Sequence, residues 1–370
     1  MGKNDDFYTL KKILAYNAKY YVIFGERSNG KTYSVPEHGI EKFVKSGEQT
    51  AIVRRWADDF TGKRGKTMYD SLVRNAKGEN RVKELTKGEW TNVYYYGSMW
   101  YLCRFDDDGN RVTCEKPLAY GFAISGQEHD KSTSYPEITT IVFDEFLSRS
   151  MYLQDEFVLF MNVISTIKRR RQNVEIFMLG NTINKYCPYF AEMGLRHARD
   201  MKPGTIDVYK YGSSDLIVAV ERTKTSRKDG EQVDSYFAFD NQKLEMITGG
   251  EWEIDIYPHC PVKYLPKEVL FTYFIVFDYN TLQCEIVLHD DLYFTFIHRK
   301  TTPLKDMEND LIYTPDYSPR PNYARKITKP RTELEKRIAE FYLKDKIFYA
   351  DNEVGEVVRN YLIWCGKAGA

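Results

Sequence analysis

The apolar positions of this chain gather into short runs spaced by longer amphipathic or polar stretches. Tyr20-Tyr21-Val22-Ile23-Phe24 is a β-branched and aromatic run that predicts a buried strand. A helix is expected from Lys31 to about Ser46, with Pro36 kinking it or shortening its first segment. Thr50-Ala51-Ile52-Val53 predicts a second strand, ending in Arg54-Arg55. Residues 57 to 90 are polar and rich in Lys and Gly, and helical pieces and irregular chain both stay open there. Val93 to Phe105 and Arg111 to Ile124 predict antiparallel strands around the turn Asp106-Asp107-Asp108-Gly109-Asn110. That turn reads as a solvated hairpin, since no further ligands follow at calcium-loop spacing. Ile138 to Phe143 predicts a fully apolar strand, Gln154 to Ile167 has helical spacing, and Val174 to Leu179 predicts another strand. The βαβ alternation up to about residue 200 predicts an α/β domain built on a parallel sheet.

After Pro203-Gly204 the pattern changes. A charged stretch runs through Lys224, Arg227, Lys228 and Gly230 and reads as a linker. From about residue 245 the chain is strand-rich: Val269 to Tyr279, Gln283 to His289 and Leu292 to Arg299 predict a meander, followed by helix from Glu333 to Tyr349. The expected domains are therefore residues 1–203, a linker over 204–243, and a smaller domain over 244–370.

Composition sharpens this only in places. Lys plus Arg and Asp plus Glu both total 53, so any polyanion contact must come from local patches such as the basic stretch from Arg320 to Lys346. That stretch also reads as a solvated helix, because Glu333, Glu335 and Glu340 alternate with its cations. The 29 Tyr and 21 Phe suit both core packing and base stacking. Six Cys without a C-x-x-C pair, and no apolar leader before the first strand, predict a reduced cytosolic protein. The apolar run from Leu270 to Phe277 is too short to span a bilayer.

Two strings carry chemistry. Gly25-Glu26-Arg27-Ser28-Asn29-Gly30-Lys31-Thr32 has the spacing of the phosphate-binding P-loop, or Walker A motif, and follows directly on a predicted strand. Backbone N–H groups of such a loop cradle phosphate at a helix N-terminus. Lys31 is then placed to reach the β- and γ-phosphates of ATP, and the Thr32 hydroxyl to ligate Mg²⁺. Asp144-Glu145 puts two carboxylates at the carboxyl end of the 138–143 strand, where parallel sheets bind ligand. Asp144 is expected to hold the Mg²⁺ shell as a Walker B carboxylate, and Glu145 to polarise the attacking water as general base. A second carboxylate there favours hydrolysis over phosphoryl transfer. Lys168-Arg169-Arg170-Arg171 closes the predicted helix and either complements its dipole or supplies an arginine that acts on a neighbouring subunit. Asn181, at the tip of the 174–179 strand, serves either as a turn residue or as a γ-phosphate sensor coupling hydrolysis to motion.

The ordered strings of residues 10 to 200 resemble the DNA packaging ATPases of phi29-like tailed phages. They include the P-loop with Tyr33, Ser46-Gly47-Glu48-Gln49 with Val53-Arg54-Arg55, Lys131-Ser132 through Tyr135-Pro136 to Asp144-Glu145-Phe146, Leu179-Gly180-Asn181, and Pro188-Tyr189-Phe190. The resemblance implies a P-loop ATPase of the additional-strand catalytic-glutamate type, plus a smaller C-terminal α+β domain that is RNase H-like and degenerate. It implies an ATP-driven, homo-oligomeric ring, a pentamer, that moves double-stranded DNA through the portal into a preformed capsid in the host cytoplasm, with a structural RNA as a further candidate partner. Arg169 falls at the trans-acting arginine, with Arg170 and Arg171 as alternates. Trp56-Ala57-Asp58 departs from the family, which carries a Lys just after the paired arginines. Three alternatives stay open at this level: a terminase whose Asp278, Glu285, Asp290 and Asp291 build a two-metal nuclease, a P-loop switch or kinase, and a DNA-binding protein with an inactive P-loop.

Overall fold

A computed structural model describes residues 8–27, 30–75, 77–129, 133–149, 152–153, 155–224, 251–306 and 308–367. The chain divides into two compact units, Met1–Trp252 and Glu253–Ala370.

The first unit is built on a ten-stranded sheet. Its strands are β1 (Tyr20–Gly25), β2 (Gln49–Arg54), β3 (Asn92–Tyr96), β4 (Met99–Phe105), β5 (Arg111–Thr113), β6 (Ala119–Ala123), β7 (Ile138–Asp144), β8 (Glu175–Asn181), β9 (Thr205–Lys210) and β10 (Ile217–Arg222). They run in the order β3-β4-β6-β2-β7-β8-β1-β10-β9, with β5 beside β4. The core from β6 to β10 is parallel throughout. Parallel strands covered on both faces need continuous apolar runs, and all seven residues of β7 are buried, as are five of the six in β1. One strand, β8, lies between β1 and β7, and this order is that of the additional-strand P-loop ATPase fold.

Helices α1 (Lys11–Leu14), α2 (Lys31–Ser46), α3 (Gly62–Lys66), α4 (Asp70–Val73), α5 (Arg81–Leu85), α6 (Glu156–Lys168) and α7 (Pro188–Glu192) flank the sheet. The stretch from 57 to 90, open in the sequence, is thus a chain of short helical turns. In α2, Pro36 costs one hydrogen bond, to the Thr32 carbonyl, yet the helix runs on unbroken and ends at Gly47 in the left-handed region, whose N–H meets the Phe43 carbonyl at 2.8 Å. The Asp106 turn is a hairpin turn as expected: Asp106 Oδ1 accepts from the N–H groups of Asp108 and Asn110 at 3.1 and 2.7 Å.

The expected linker over 204–243 needs correction. Residues 205–210 and 217–222 are strands β9 and β10, and β10 pairs in parallel with the P-loop strand β1. The cause is the run Ile217-Val218-Ala219-Val220, of which the last three residues are fully buried. Residues 225–243 lie outside the described residues.

The second unit holds a six-stranded sheet of β11 (Val269–Phe277), β12 (Asn280–His289), β13 (Leu292–Arg299), β14 (Ile312–Tyr313), β15 (Tyr323–Ala324) and β16 (Ile347–Tyr349), in the order β15-β14-β11-β12-β13-β16. β11 to β13 form the expected meander, while β14, β15 and β16 add in parallel at its two sides. Helices α8 (Glu333–Leu343) and α9 (Asn352–Lys367) accompany it. The helix expected over 333–349 therefore stops early. Lys344 and Asp345 break it, Asp345 with φ of 52°, and residues 347–349 pair with β13 instead.

Candidate nucleotide site at the carboxyl end of the sheet

Strands β1, β8 and β7 end together and set the site. In their register Gly25 lies opposite Asn181, and Leu179 opposite Asp144. The P-loop thus starts beside the acidic pair with one strand between, a separation of about 10 Å at the usual strand spacing. Gly25 is required here: a Cβ would sit 2.1 Å from Thr223 Oγ1, just past β10, and φ is +151°. Gly30 caps α2 with φ of 93°, and its carbonyl accepts the N–H of Ser34 at 3.0 Å. Of the loop's expected ligands, Ser28 and Asn29 lie outside the described residues. Glu26 and Arg27 follow Gly25, and Thr32 is exposed on the first turn of α2.

Lys31 is 4 % exposed and folds back on the loop, donating to the carbonyls of Gly25, at 3.3 Å, and Glu26. Burial lowers its ammonium to a pKa of about 8, with Glu26 and Asp144 opposing. A desolvated cation at the mouth of such a loop is matched to an incoming anion. Asp144 is likewise buried, 4 % exposed, and accepts from Arg54 Nη2 at 2.6 Å. Thr32 and Asp144 offer hard oxygen ligands, which suit Mg²⁺ when phosphate and water complete its shell. Among the described residues no cluster of three or more His, Cys, Asp or Glu side chains could hold a metal ion.

Glu145 leaves the strand with φ of 61°, an uncommon conformation for a residue with a Cβ, and its side chain is exposed. Although the residue is exposed, the surrounding protein takes away part of the carboxyl's solvation; that loss first, and Asp144 next, raise it above the usual value, while Arg54 opposes. The following turn packs against β8: Phe146 N–H donates to the Leu179 carbonyl at 3.0 Å, and Gly180 lets Phe146 and Leu147 approach, since a Cβ there would meet each at 2.9 Å.

The arginine cluster lies elsewhere. Arg169 ends α6 with φ of 49° and donates to the Thr133 carbonyl at 2.9 Å; it and Arg170 are exposed. Arg171 is tied to four carbonyls, of Tyr135, Pro136, Ile138 and Ile167, at 2.6–2.9 Å. These contacts put the cluster at the start of β7, and seven residues of strand, about 20 Å, separate that end from Asp144. The cluster cannot serve its own site. Asn181, by contrast, ends β8 between the P-loop strand β1 and the strand β7 that leads into Asp144.

Two side chains here were not assigned a role from sequence. Arg54 ends β2 and Arg55 follows it, 90 and 101 residues from their acidic partners Asp144 and Glu156. Only their position after an apolar strand, pointing to the same sheet edge as the P-loop, could have signalled them.

A family model described as Podovirus DNA encapsidation protein (Gp16) matches residues 104–242, which include Asp144, Glu145, Arg169 and Asn181. The DNA packaging protein of Bacillus phage B103 is 29 % identical over 186 residues, covering 50 % of this chain and 50 % of that protein. The DNA packaging protein of Bacillus phage phi29 is 28 % identical over 187 residues, 50 % of this chain and 49 % of that one. The chain resembles the phi29-like DNA packaging proteins. In these alignments it spans about half the length of the curated relatives it matches. Among solved structures, the bacteriophage phi29 viral genome packaging motor assembly superposes with a TM-score of 0.54 at 20 % identity, over 96 % of this chain and 97 % of that one. The phi28 gp11 DNA packaging motor gives 0.50 at 17 % identity, over 99 % and 100 %. At those identities the superpositions speak to the fold, which they share with this chain along nearly its whole length.

Proposed function

We propose that this protein is an ATPase motor that translocates double-stranded DNA into a preformed phage capsid through the portal, working as a homo-oligomeric ring. The observation that carries the reading is the convergence of Lys31, Asp144 and Glu145 at the carboxyl ends of strands separated by one inserted strand. The resemblance to packaging proteins supplies the substrate. Mg²⁺ would be held by Thr32 and Asp144 together with nucleotide, and would supply positive charge against the charge of the phosphates. The P-loop amides and Lys31 hold the triphosphate, Thr32 and Asp144 hold the cation, and Glu145 accepts the proton of the attacking water. Loss of solvation and the neighbouring Asp144 raise the Glu145 carboxyl above its usual value, which makes it a better proton acceptor and suits a general base.

Arg169, exposed and remote from its own site, is assigned to the nucleotide of the neighbouring subunit, with Arg170 as alternate; Arg171 is occupied by its four carbonyls. Asn181 is assigned to sensing the γ-phosphate. A pentamer, docking on the procapsid in the host cytoplasm and a structural RNA are further parts of this reading and rest on the resemblance alone. No helix among the described residues is long and apolar enough to cross a membrane. For the second unit, the antiparallel meander with two short strands added in parallel on β11 supports an RNase H-like sheet. A nuclease centre has no support there: β11 carries no carboxylate, and Asp278 and Asp290 flank the two ends of ten-residue β12, about 30 Å apart, with Glu285 engaged by Tyr264 between them.

The test is packaging of double-stranded DNA into purified portal-bearing heads, with phosphate release followed in parallel. Glu145→Gln should bind ATP and lose hydrolysis by about 10²-fold or more. Arg169→Ala mixed with wild type should poison rings out of proportion to its share. Hydrolysis unchanged by Glu145→Gln would sink the proposal, and harmless mixing of Arg169→Ala would remove the trans-acting assignment.

A further inference from the structure

Glu145 holds a backbone conformation that ordinary residues avoid, and something must over-determine it. The structure shows what does. Arg55, 7 % exposed, reaches from the end of β2 to the turn that carries Glu145. Its Nη1 donates to the Glu145 carbonyl at 3.4 Å and its Nη2 to the Phe146 carbonyl at 3.0 Å. The same guanidinium grips Glu156, the first residue of α6, in bidentate fashion, with Nε and Nη2 at 2.7 and 2.8 Å from its two oxygens. Glu156 is 2 % exposed and also accepts from the Tyr189 hydroxyl at 2.9 Å and the Leu153 N–H at 2.6 Å. Tyr152 lies under the guanidinium, 5.0 Å from it to the ring centroid.

We propose that Arg55 is a positioning residue for hydrolysis: clamped by Glu156 and Tyr189, it fixes the backbone of Glu145 and so aims the carboxylate at the attacking water. This rests on the reading of Glu145 as general base. The geometry favours that role over plain support of the fold. A buried ion pair contributes little net stability against an apolar replacement, so a guanidinium that also caps two carbonyls of one turn is better explained by the orientation it imposes. Only arginine can do this, because its planar fork serves a carboxylate and neighbouring carbonyls at once, and a point-charge ammonium cannot. Near-attack geometry is demanding, and a misplacement of about 1 Å costs on the order of 10²-fold in rate. The network also reaches α7 through Tyr189, the element that follows Asn181 in the chain, so it spans the two segments that leave β7 and β8 at the site.

The experiment compares full-length wild type, Arg55→Lys, Tyr189→Phe and Glu145→Gln for steady-state phosphate release, for affinity toward a non-hydrolysable ATP analogue with Mg²⁺, and for melting temperature. Arg55→Lys should lower kcat at least tenfold while analogue affinity stays within about twofold. Tyr189→Phe, which removes one hydroxyl and leaves the ring, should lower kcat several-fold with affinity unchanged, while the loss of a buried hydrogen bond to a carboxylate lowers the melting temperature by a few degrees. Wild-type kcat in a folded Arg55→Lys, or a parallel loss of affinity and kcat, overturns the inference. If Arg55→Lys fails to fold, Tyr189→Phe decides, and an unchanged kcat overturns it. Glu145→Gln reports on the underlying reading: hydrolysis retained there removes the general base, whereas hydrolysis lost there with Arg55→Lys active removes only the positioning role.

Discussion

Arg54 and Asp144 form an ion pair at 2.6 Å with the carboxylate 4 % and the arginine 18 % exposed. At this separation the Coulomb attraction is about 6 kcal/mol with an effective dielectric of about 20. Much of that offsets desolvation, and cutting one partner from a buried pair typically costs about 3–5 kcal/mol, because the remaining charge is left uncompensated. The partial exposure of Arg54 places Arg54→Ala at the low end, about 3 kcal/mol. For a unit of this size each kcal/mol shifts the melting temperature by roughly 2–4 °C, so nucleotide-free Arg54→Ala should melt about 6–12 °C below wild type. If Asp144 is a Mg²⁺ site, the deficit must shrink when Mg²⁺ and a non-hydrolysable ATP analogue are added together, since the divalent cation then supplies the missing positive charge. Analogue without Mg²⁺ should not restore it. The assay is thermal unfolding of wild type and Arg54→Ala under the three conditions. A deficit that is as large with Mg²⁺ and analogue as without would refute the assignment of Asp144 to the cation, and a deficit under about 2 °C would refute the energetic argument itself.

Two further outcomes test the packing and electrostatics. Gly180→Ala puts a methyl group 2.9 Å from both Phe146 and Leu147; both side chains are buried, so the variant should lose about 1–3 kcal/mol in chemical denaturation, and an unaltered midpoint would show that this turn relaxes freely. In the second unit, the hydrogen bond from His298 first, with Tyr264 and Gln283 also donating and burial opposing, pulls Glu285 down to about 2, and the same contact raises His298. The Glu285 contribution is present above the ordinary carboxyl value of 4.5 and is lost as pH falls toward 2; the His298 contribution is present below 6.5 and is lost as pH rises through its raised value. Glu285→Gln should therefore cost most between pH 4.5 and 6.5, about 1–2 kcal/mol given partial exposure, and less at pH 8. A cost that grows from pH 5.5 to pH 8 in urea titrations of the full chain would contradict the ion-pair account.

The parts of the fold that were legible in the sequence are those set by local pattern. β1 and β7 announced themselves because a strand buried on both faces must be apolar at every position. The meander of β11 to β13 was visible because its turns fall at Tyr279 and Asp290-Asp291, between runs of β-branched and aromatic residues. Strand β10 was missed because four apolar residues inside a charged stretch look like a fragment until a partner, β1, covers them. Strand β16 was missed for the opposite reason: Ile347-Phe348-Tyr349 follows a genuine helix, and nothing local ends that helix except Lys344 and Asp345.

The chemistry divides along the same line. By itself the sequence determined the P-loop, the acidic pair and the strands that lead into them, because each depends on residues within a few positions of one another. Tertiary structure alone decided that one strand separates them, that Arg169 stands at the far end of β7 from its own site, and that Arg54 and Arg55 reach Asp144 and the Glu145 turn from 90 residues away. Those contacts arise from strand order and register, which are fixed by how the apolar faces of separate segments cover one another and leave no mark on any single segment.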